Sequence, residues 1–175
     1  MLIRALQAAD AAEYRSLMLQ AYALAADAFT STPAERATAS LDWWRDRAAS
    51  SDGLRQAFGA YDDDRLVGTI ALEYASRTKT RHKGLIIGMY VMAAHRRQGI
   101  AAALLSAAIA HARQRGGLLA LQLELTEGNH VALALYEGAG FVTYGVEPLA
   151  LLTPGGFRAK INMQLDLAAD SPRRD

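Results

Sequence analysis

The residues with the most chemical potential lie between Met89 and Ala102. An apolar run ends in Met89-Tyr90-Val91, and Arg96-Arg97-Gln98-Gly99-Ile100-Ala101 follows at the start of a helical pattern. A helix start exposes unpaired N–H groups and carries partial positive charge, so it suits phosphate. Gly99 permits close backbone approach to a ligand, Ala101 crowds the amides little, and Arg96 and Arg97 add charge. The same residues also fit a solvated basic turn before an ordinary helix. The other phosphate signatures are absent: no G-x-x-x-x-G-K-S/T occurs, and no G-x-G-x-x-G follows a strand.

Downstream, Asn129, Ala132, Leu135, Tyr136, Gly140 and Phe141 fall in the spacing N-x-x-A-x-x-L-Y-x-x-x-G-F. On their own, Tyr136 reads as a core tyrosine on a short helix and Asn129 as a plain helix N-cap. Glu124 faces away from the leucines of its strand and is a carboxylate base candidate, with Glu73 the second. Either also fits an ion-paired strand residue. Lys79, Arg81, His82 and Lys83 form a basic loop, either solvated or placed to meet an acidic group on a substrate. His95 reads as a surface turn residue, and His82, His111 and His130 lack metal-ligand spacing.

These residues need a scaffold to hold them. Leu2–Leu6 reads as a strand, and Asp10 caps a helix carrying Tyr14, Leu17, Met18, Ala21 and Ala25 on one stripe. Thr32-Pro33-Ala34-Glu35 is a capping box opening a second helix, with Ala37, Leu41, Trp44 and Ala48 on its stripe and its end near Ser50–Gly53. Trp43, next to Trp44, faces another way and reads as partly core-packed. Leu54–Tyr61 and Arg65–Tyr74 form a hairpin about Asp62-Asp63-Asp64. Gly84–Met92 is apolar on both faces and reads as a buried central strand. Ala101, Leu104, Leu105, Ala108 and Ala112 define a helix stopped by Gly116-Gly117. In Leu118–Leu125, Leu119, Leu121, Leu123 and Leu125 share a face. A short helix over Val131–Glu137 and strands over Phe141–Val146 and Ala159–Leu167 complete the chain. A loop containing Pro148, Pro154, Gly155 and Gly156 joins the last two. The order predicts one α/β domain over residues 1–167, with a frayed tail over 168–175.

Composition narrows the classes. The chain has 175 residues, and 51% are apolar, enough for a sizeable core. A net charge of +1 argues against a dedicated nucleic-acid binder. Without cysteine there is no disulfide, thiolate metal site or thiol nucleophile, which fits a cytoplasmic setting. The start of the chain lacks signal-peptide features, and no apolar run approaches membrane-spanning length.

Taken together, Met89–Ala102 and Asn129–Phe141 resemble the two halves of the signature of the GNAT N-acetyltransferases. The first half of that signature is Gln/Arg-x-x-Gly-x-Gly/Ala after an apolar strand. The resemblance implies the GNAT fold: a mixed, mostly antiparallel central sheet of about six or seven strands with helices on both faces. It implies acetyl-CoA as cosubstrate, no metal, and transfer of an acetyl group to a primary amine by direct attack in a ternary complex. Small molecules and protein N-termini are both open as acceptors. The backbone of Met89, Tyr90 and Val91 would pair with the pantetheine arm, Arg96, Arg97, Gln98, Gly99, Ile100, Ala101 and Ala102 would surround the pyrophosphate, and Asn129 would contact the arm. Tyr136 would protonate the leaving thiolate. Glu124 resembles the glutamate assigned as base in ribosomal-protein alanine N-acetyltransferases, and in a base role burial should raise its pKa toward neutrality. A water relay is the other route. Ala93-Ala94 departs from the proline and acid common after the strand, and Gly84–Met92 lacks the acid many relatives carry there. A non-catalytic acyl-CoA sensor, a longer acyl donor and a homodimer stay open. The segments Ala25–Thr32, Arg77–Lys83 and Val146–Arg158, which would choose the acceptor, contain no readable motif.

Overall fold

The computed structural model describes residues 1–168; most of the expected frayed tail lies outside the described residues. Seven strands form one sheet: β1 (Leu2–Ala5), β2 (Arg55–Asp62), β3 (Arg65–Tyr74), β4 (Lys83–Val91), β5 (Ala120–Thr126), β6 (Val142–Thr153) and β7 (Gly156–Asp166). Their spatial order is β1-β2-β3-β4-β5-β7-β6. Only β4 and β5 run parallel, and a helix between them supplies the crossover that a parallel pair requires. The helices are α1 (Ala11–Leu24), α2 (Pro33–Ala37), α3 (Leu41–Ala48), α4 (Ile100–Arg113) and α5 (His130–Gly138).

Two apolar layers result. On one face of the sheet, Tyr14, Met18 and Ala21 of α1 meet Trp44 of α3 and Ala57, Ala71 and Tyr90 of the sheet. On the other, Leu104, Leu105 and Ala108 of α4 pack with Phe58, Ile70, Leu72, Leu121 and Leu123. The period-two pattern of β5 explains its placement. Leu121, Leu123 and Leu125 register with Leu165, Met163 and Ile161 of β7 on the α4 face, while Gln122 and Glu124 face the opposite way.

Several expectations need correction. Leu119 precedes β5 and is exposed rather than continuing the leucine face, since its backbone closes a bridge to His82. Asp10 sits at the start of α1 but makes no side-chain cap; its carboxylate is drawn instead to Arg4, at 2.7 Å, and the Gln7 amide. The second helix is two helices. The Thr32 capping box forms as read, but α2 ends at Ala37, and Ser40 opens α3 by accepting the Trp43 N–H. β6 runs to Thr153, through Pro148, which this edge strand tolerates because the ladder to β7 is interrupted between Glu147 and Leu151, so the N–H that proline lacks is not needed there. β4 is central, yet Leu85, Ile87, Gly88 and Met89 are only partly buried because one side opens onto a cavity. No helix among the described residues is long and apolar enough to cross a membrane.

Candidate active site

A split in the sheet creates the site. The β4–β5 ladder spans only Lys83–Leu85 against Ala120–Gln122. The β3–β4 register shifts between Thr69 and Ala71, where β4 carries an additional residue. Gly88, at φ +63°, lies in this bulge. A Cβ there would meet nothing closer than 3.7 Å, so the left-handed backbone, not crowding, explains the glycine. Bulges bend their strand. Beyond Leu85, β4 therefore parts from β5, and Met89, Tyr90 and Val91 lie along the open edge. Met89 lines the cavity, while the Tyr90 ring is buried among the α1 layer. The Val91 carbonyl is already taken by Arg96 Nε at 3.0 Å.

After β4 the chain makes one short turn, Ala93–His95, and enters α4 through two left-handed residues, Arg97 at φ +62° and Gly99 at φ +78°. The result is a run of free donors. The N–H groups of Arg97, Gln98, Gly99, Ile100, Ala101 and Ala102 find no acceptor among the described residues, and no side chain caps α4. Such a curl of amides at a helix start forms an anion-binding concavity. Both arginines are exposed, but they divide their work: Arg96 folds back over the Tyr90 ring, 5.8 Å from its centroid, whereas Arg97 makes no such contact. His95 meets Asp62 at 3.2 Å through Nε2, but its side chain is only 18% exposed and its Nδ1 is buried without a partner among the described residues, so it is less exposed than a surface turn histidine.

The split leads into a cavity of about 250 Å³. Tyr136, Asn129 and Glu124 all line it. Tyr136 is 6% exposed, packs edge-on against Phe141, and its hydroxyl has no partner among the described residues. Burial pushes its phenol up to about 12, so it keeps its proton at neutral pH. Asn129 caps α5, its Oδ1 accepting the Ala132 N–H at 3.1 Å. The N-cap role is thus present, and the same residue borders the cavity.

Glu124 does not have the burial expected of it: its side chain is 44% exposed and paired with Lys160 Nζ at 2.7 Å. Lys160 reaches it from β7, whose register sets Lys160 opposite Thr126. Glu73 is not on the cavity wall. It joins Arg47 at 3.1 Å and Arg55 at 3.5 Å, bordering a separate groove. Two charged wall residues escaped the sequence reading, Arg47 of α3 and Lys160 of β7. Neither has a local spacing signal, because each arrives through tertiary packing. Of the three unreadable segments, Ala28–Ser31 forms part of the wall. The basic loop does not: Lys79, Arg81 and His82 sit at the opposite end of β4 from the turn, away from the cavity. No group of residues able to hold a metal occurs among the described residues.

Residues 18–141 match the sequence profile of the Acetyltransferase (GNAT) family. No curated protein matches at a significant level. Among solved structures, a GNAT-family acetyltransferase from Streptococcus pneumoniae shares 25% identity at a TM-score of 0.78, covering 94% of this chain and 98% of that one. The putative acetyltransferase yncA from Salmonella typhimurium, solved with its cofactor acetyl-CoA, gives 22% identity and a TM-score of 0.79 over 95% and 94% of the two chains. A ribosomal-protein-alanine N-acetyltransferase from Brucella melitensis gives 22% and 0.77 over 95% and 99%. With the family profile spanning most of the chain and the seven-stranded split sheet in place, the protein belongs to the GNAT family of acetyltransferases.

Proposed function

We propose that this chain, as a single domain over residues 1–167, transfers an acetyl group from acetyl-CoA to a primary amine by direct attack within a ternary complex. The observation that carries the reading is the placement of two sets of free backbone groups, one shortly after the other. The edge of β4 that β5 leaves unpaired is followed, after the Ala93–His95 turn, by the unbonded amides of Arg97 to Ala102. An extended amide-bearing arm ending in a pyrophosphate matches that sequence of donors: the arm adds to a strand edge, and the anion lies on the helix start. Bound there, the donor supplies an activated thioester carbonyl.

The protein's own residues supply the rest. Met89, Tyr90 and Val91 would hold the arm through their backbone, with Val91 offering no free carbonyl. Gln98, Gly99, Ile100, Ala101 and Ala102 would hold the pyrophosphate with their amides, helped by the charge of Arg97, while Arg96 braces the turn. Asn129, fixed by its cap bond, would orient the arm. Glu124, held in place by Lys160, would accept the proton of the incoming ammonium, directly or through water. Tyr136, protonated and without a competing partner, would donate to the departing sulfur. The absence of cysteine agrees with direct attack and with a reducing, cytoplasmic setting.

Thiol release from acetyl-CoA in the presence of an amine panel tests the reading. Turnover that Gly99→Val and Tyr136→Phe each abolish or greatly slow supports it. Tight acetyl-CoA binding with no turnover on any amine would instead support a sensor. Self-association is a secondary reading, favoured by the edge hairpin, where Tyr144, Val146, Leu149, Leu152 and Phe157 are exposed. Sedimentation velocity of the wild type and of Leu152→Lys tests it.

A further inference from the structure

The cavity wall carries a cation with no counterpart inside the cavity. Arg47 leaves α3 with a side chain only 15% exposed, and its guanidinium lies over the Trp43 ring, 5.2 Å from the centroid. Nη1 donates to Glu73 at 3.1 Å, and Nε is buried with no acceptor. A buried, unsatisfied arginine donor is costly and calls for an explanation. Glu73 answers only part of it, and the neighbouring Tyr14 hydroxyl, buried and itself without a well-formed hydrogen bond, is a neutral group that leaves the positive charge unbalanced. That carboxylate is shared with Arg55 and stands outside the cavity wall. Among the described residues of the wall Glu124 is the only acid, and Lys160 already engages it through Oε2. The Tyr22 phenol, which burial keeps protonated, adds a neutral donor to the same wall.

The wall is therefore polarised. A guanidinium with an unpaired buried donor stands on α3, and a carboxylate stands on β5, in the same cavity as the proposed acid Tyr136. Zwitterions match that arrangement. An ammonium would be drawn to Glu124, where it must lose its proton, and a carboxylate to Arg47, whose fork suits a planar anion. Size points the same way. About 250 Å³, part of which the acyl end of the donor needs, is smaller than the usual pocket for a drug-sized ligand. Resting on the reading of this cavity as the acceptor site, we propose that the acceptor is a small amine bearing its own carboxylate, of the free amino acid type, and that Arg47 selects it.

Matched pairs test this: each free amino acid against its carboxamide, and against a tripeptide starting with the same residue, assayed by thiol release. The expected result is a preference for the free acid of about tenfold or more in kcat/KM for every acid used. Arg47→Gln and Arg47→Lys should raise KM for the acid, Gln more than Lys, and bring the acid-to-amide ratio toward one. The calorimetric acetyl-CoA Kd should stay unchanged. The wild-type comparison needs no variant to fold. Carboxamides or tripeptides used as well as the free acids overturn the proposal, as does failure to acetylate any free acid by a protein that binds acetyl-CoA. Failure to bind acetyl-CoA overturns the parent reading and this one together.

Discussion

Replacing Tyr136 by phenylalanine separates a catalytic hydroxyl from a structural one. The hydroxyl has no partner among the described residues, and the ring keeps its contact with Phe141. Removing it should therefore change stability at pH 8 by less than about 0.5 kcal/mol. High pH is different. The phenol is pushed from 10.0 to about 12 in the fold. A raised folded value means that the folded state holds the proton more tightly than the unfolded chain. This contribution is fully present below pH 10 and is lost as pH rises through 12. At pH 11 the unfolded phenol is mostly ionised and the folded one is not, which costs the wild type about 1.4 kcal/mol relative to pH 8. The phenylalanine variant escapes that term, so between pH 8 and 11 its urea-unfolding free energy should gain about 1.4 kcal/mol on the wild type. In the same variant, kcat should fall by about 10²–10⁴-fold with the acetyl-CoA Kd nearly unchanged. Parallel stability-versus-pH curves would refute the burial argument, and an unaltered kcat would refute the acid role.

Other outcomes follow from the same geometry. Gly99→Ala places a Cβ on a backbone at φ +78°, with nothing within 4 Å of it, so about 1 kcal/mol of strain is expected in denaturant melts. The altered amide curl should weaken acetyl-CoA binding by at least about tenfold in calorimetry. Glu124→Gln should lower kcat while leaving the acetyl-CoA Kd intact; Lys160→Met, which frees the carboxylate from its 2.7 Å tether, should lower kcat less. A larger loss in Lys160→Met would give the lysine the leading role. Arg4 holds the Asp10 carboxyl below its usual range, so Asp10 stabilises the fold above pH 4 and loses that effect as pH falls. Asp10→Asn should therefore lower Tm at pH 7, with the gap closing below pH 4; a constant gap would contradict the pairing.

Sequence carries local information well and tertiary information poorly, and this chain shows where the line falls. Gly99, Asn129 and the Thr32 capping box work within a few residues of themselves, so their spacing reveals them. The alternation in Leu121–Leu125 likewise puts Glu124 on the face away from the leucines. The break between α2 and α3 was hidden because Leu41 and Trp44 keep the helical spacing of Ala37 across it; the clue was Ser40, a second N-cap residue. Gly88 was a legible sign too, since an isolated glycine inside an apolar strand marks a bulge. Lys160 and Arg47 could not be read. Lys160 meets Glu124 at a sequence separation of 36, and Arg47 meets Glu73 at a separation of 26. The fate of Asp10 was lost at shorter range, because Arg4, six positions earlier on a strand, outcompetes the helix amides for its carboxylate.

The bulge at Gly88 also has a mechanical side. With the β4–β5 ladder reduced to Lys83–Leu85 against Ala120–Gln122, the seven strands behave as two panels joined by a short seam. One panel, β1 to β4, carries α1 and α3; the other, β5, β7 and β6, carries Glu124 and Lys160. Anything lying along the open edge of β4 stitches the panels beyond the seam. Occupancy of the split should then be felt as stiffness, with amides on both sides of the seam exchanging more slowly with solvent when it is filled. The residue that opens the sheet thereby makes the sheet's rigidity depend on what the opening holds.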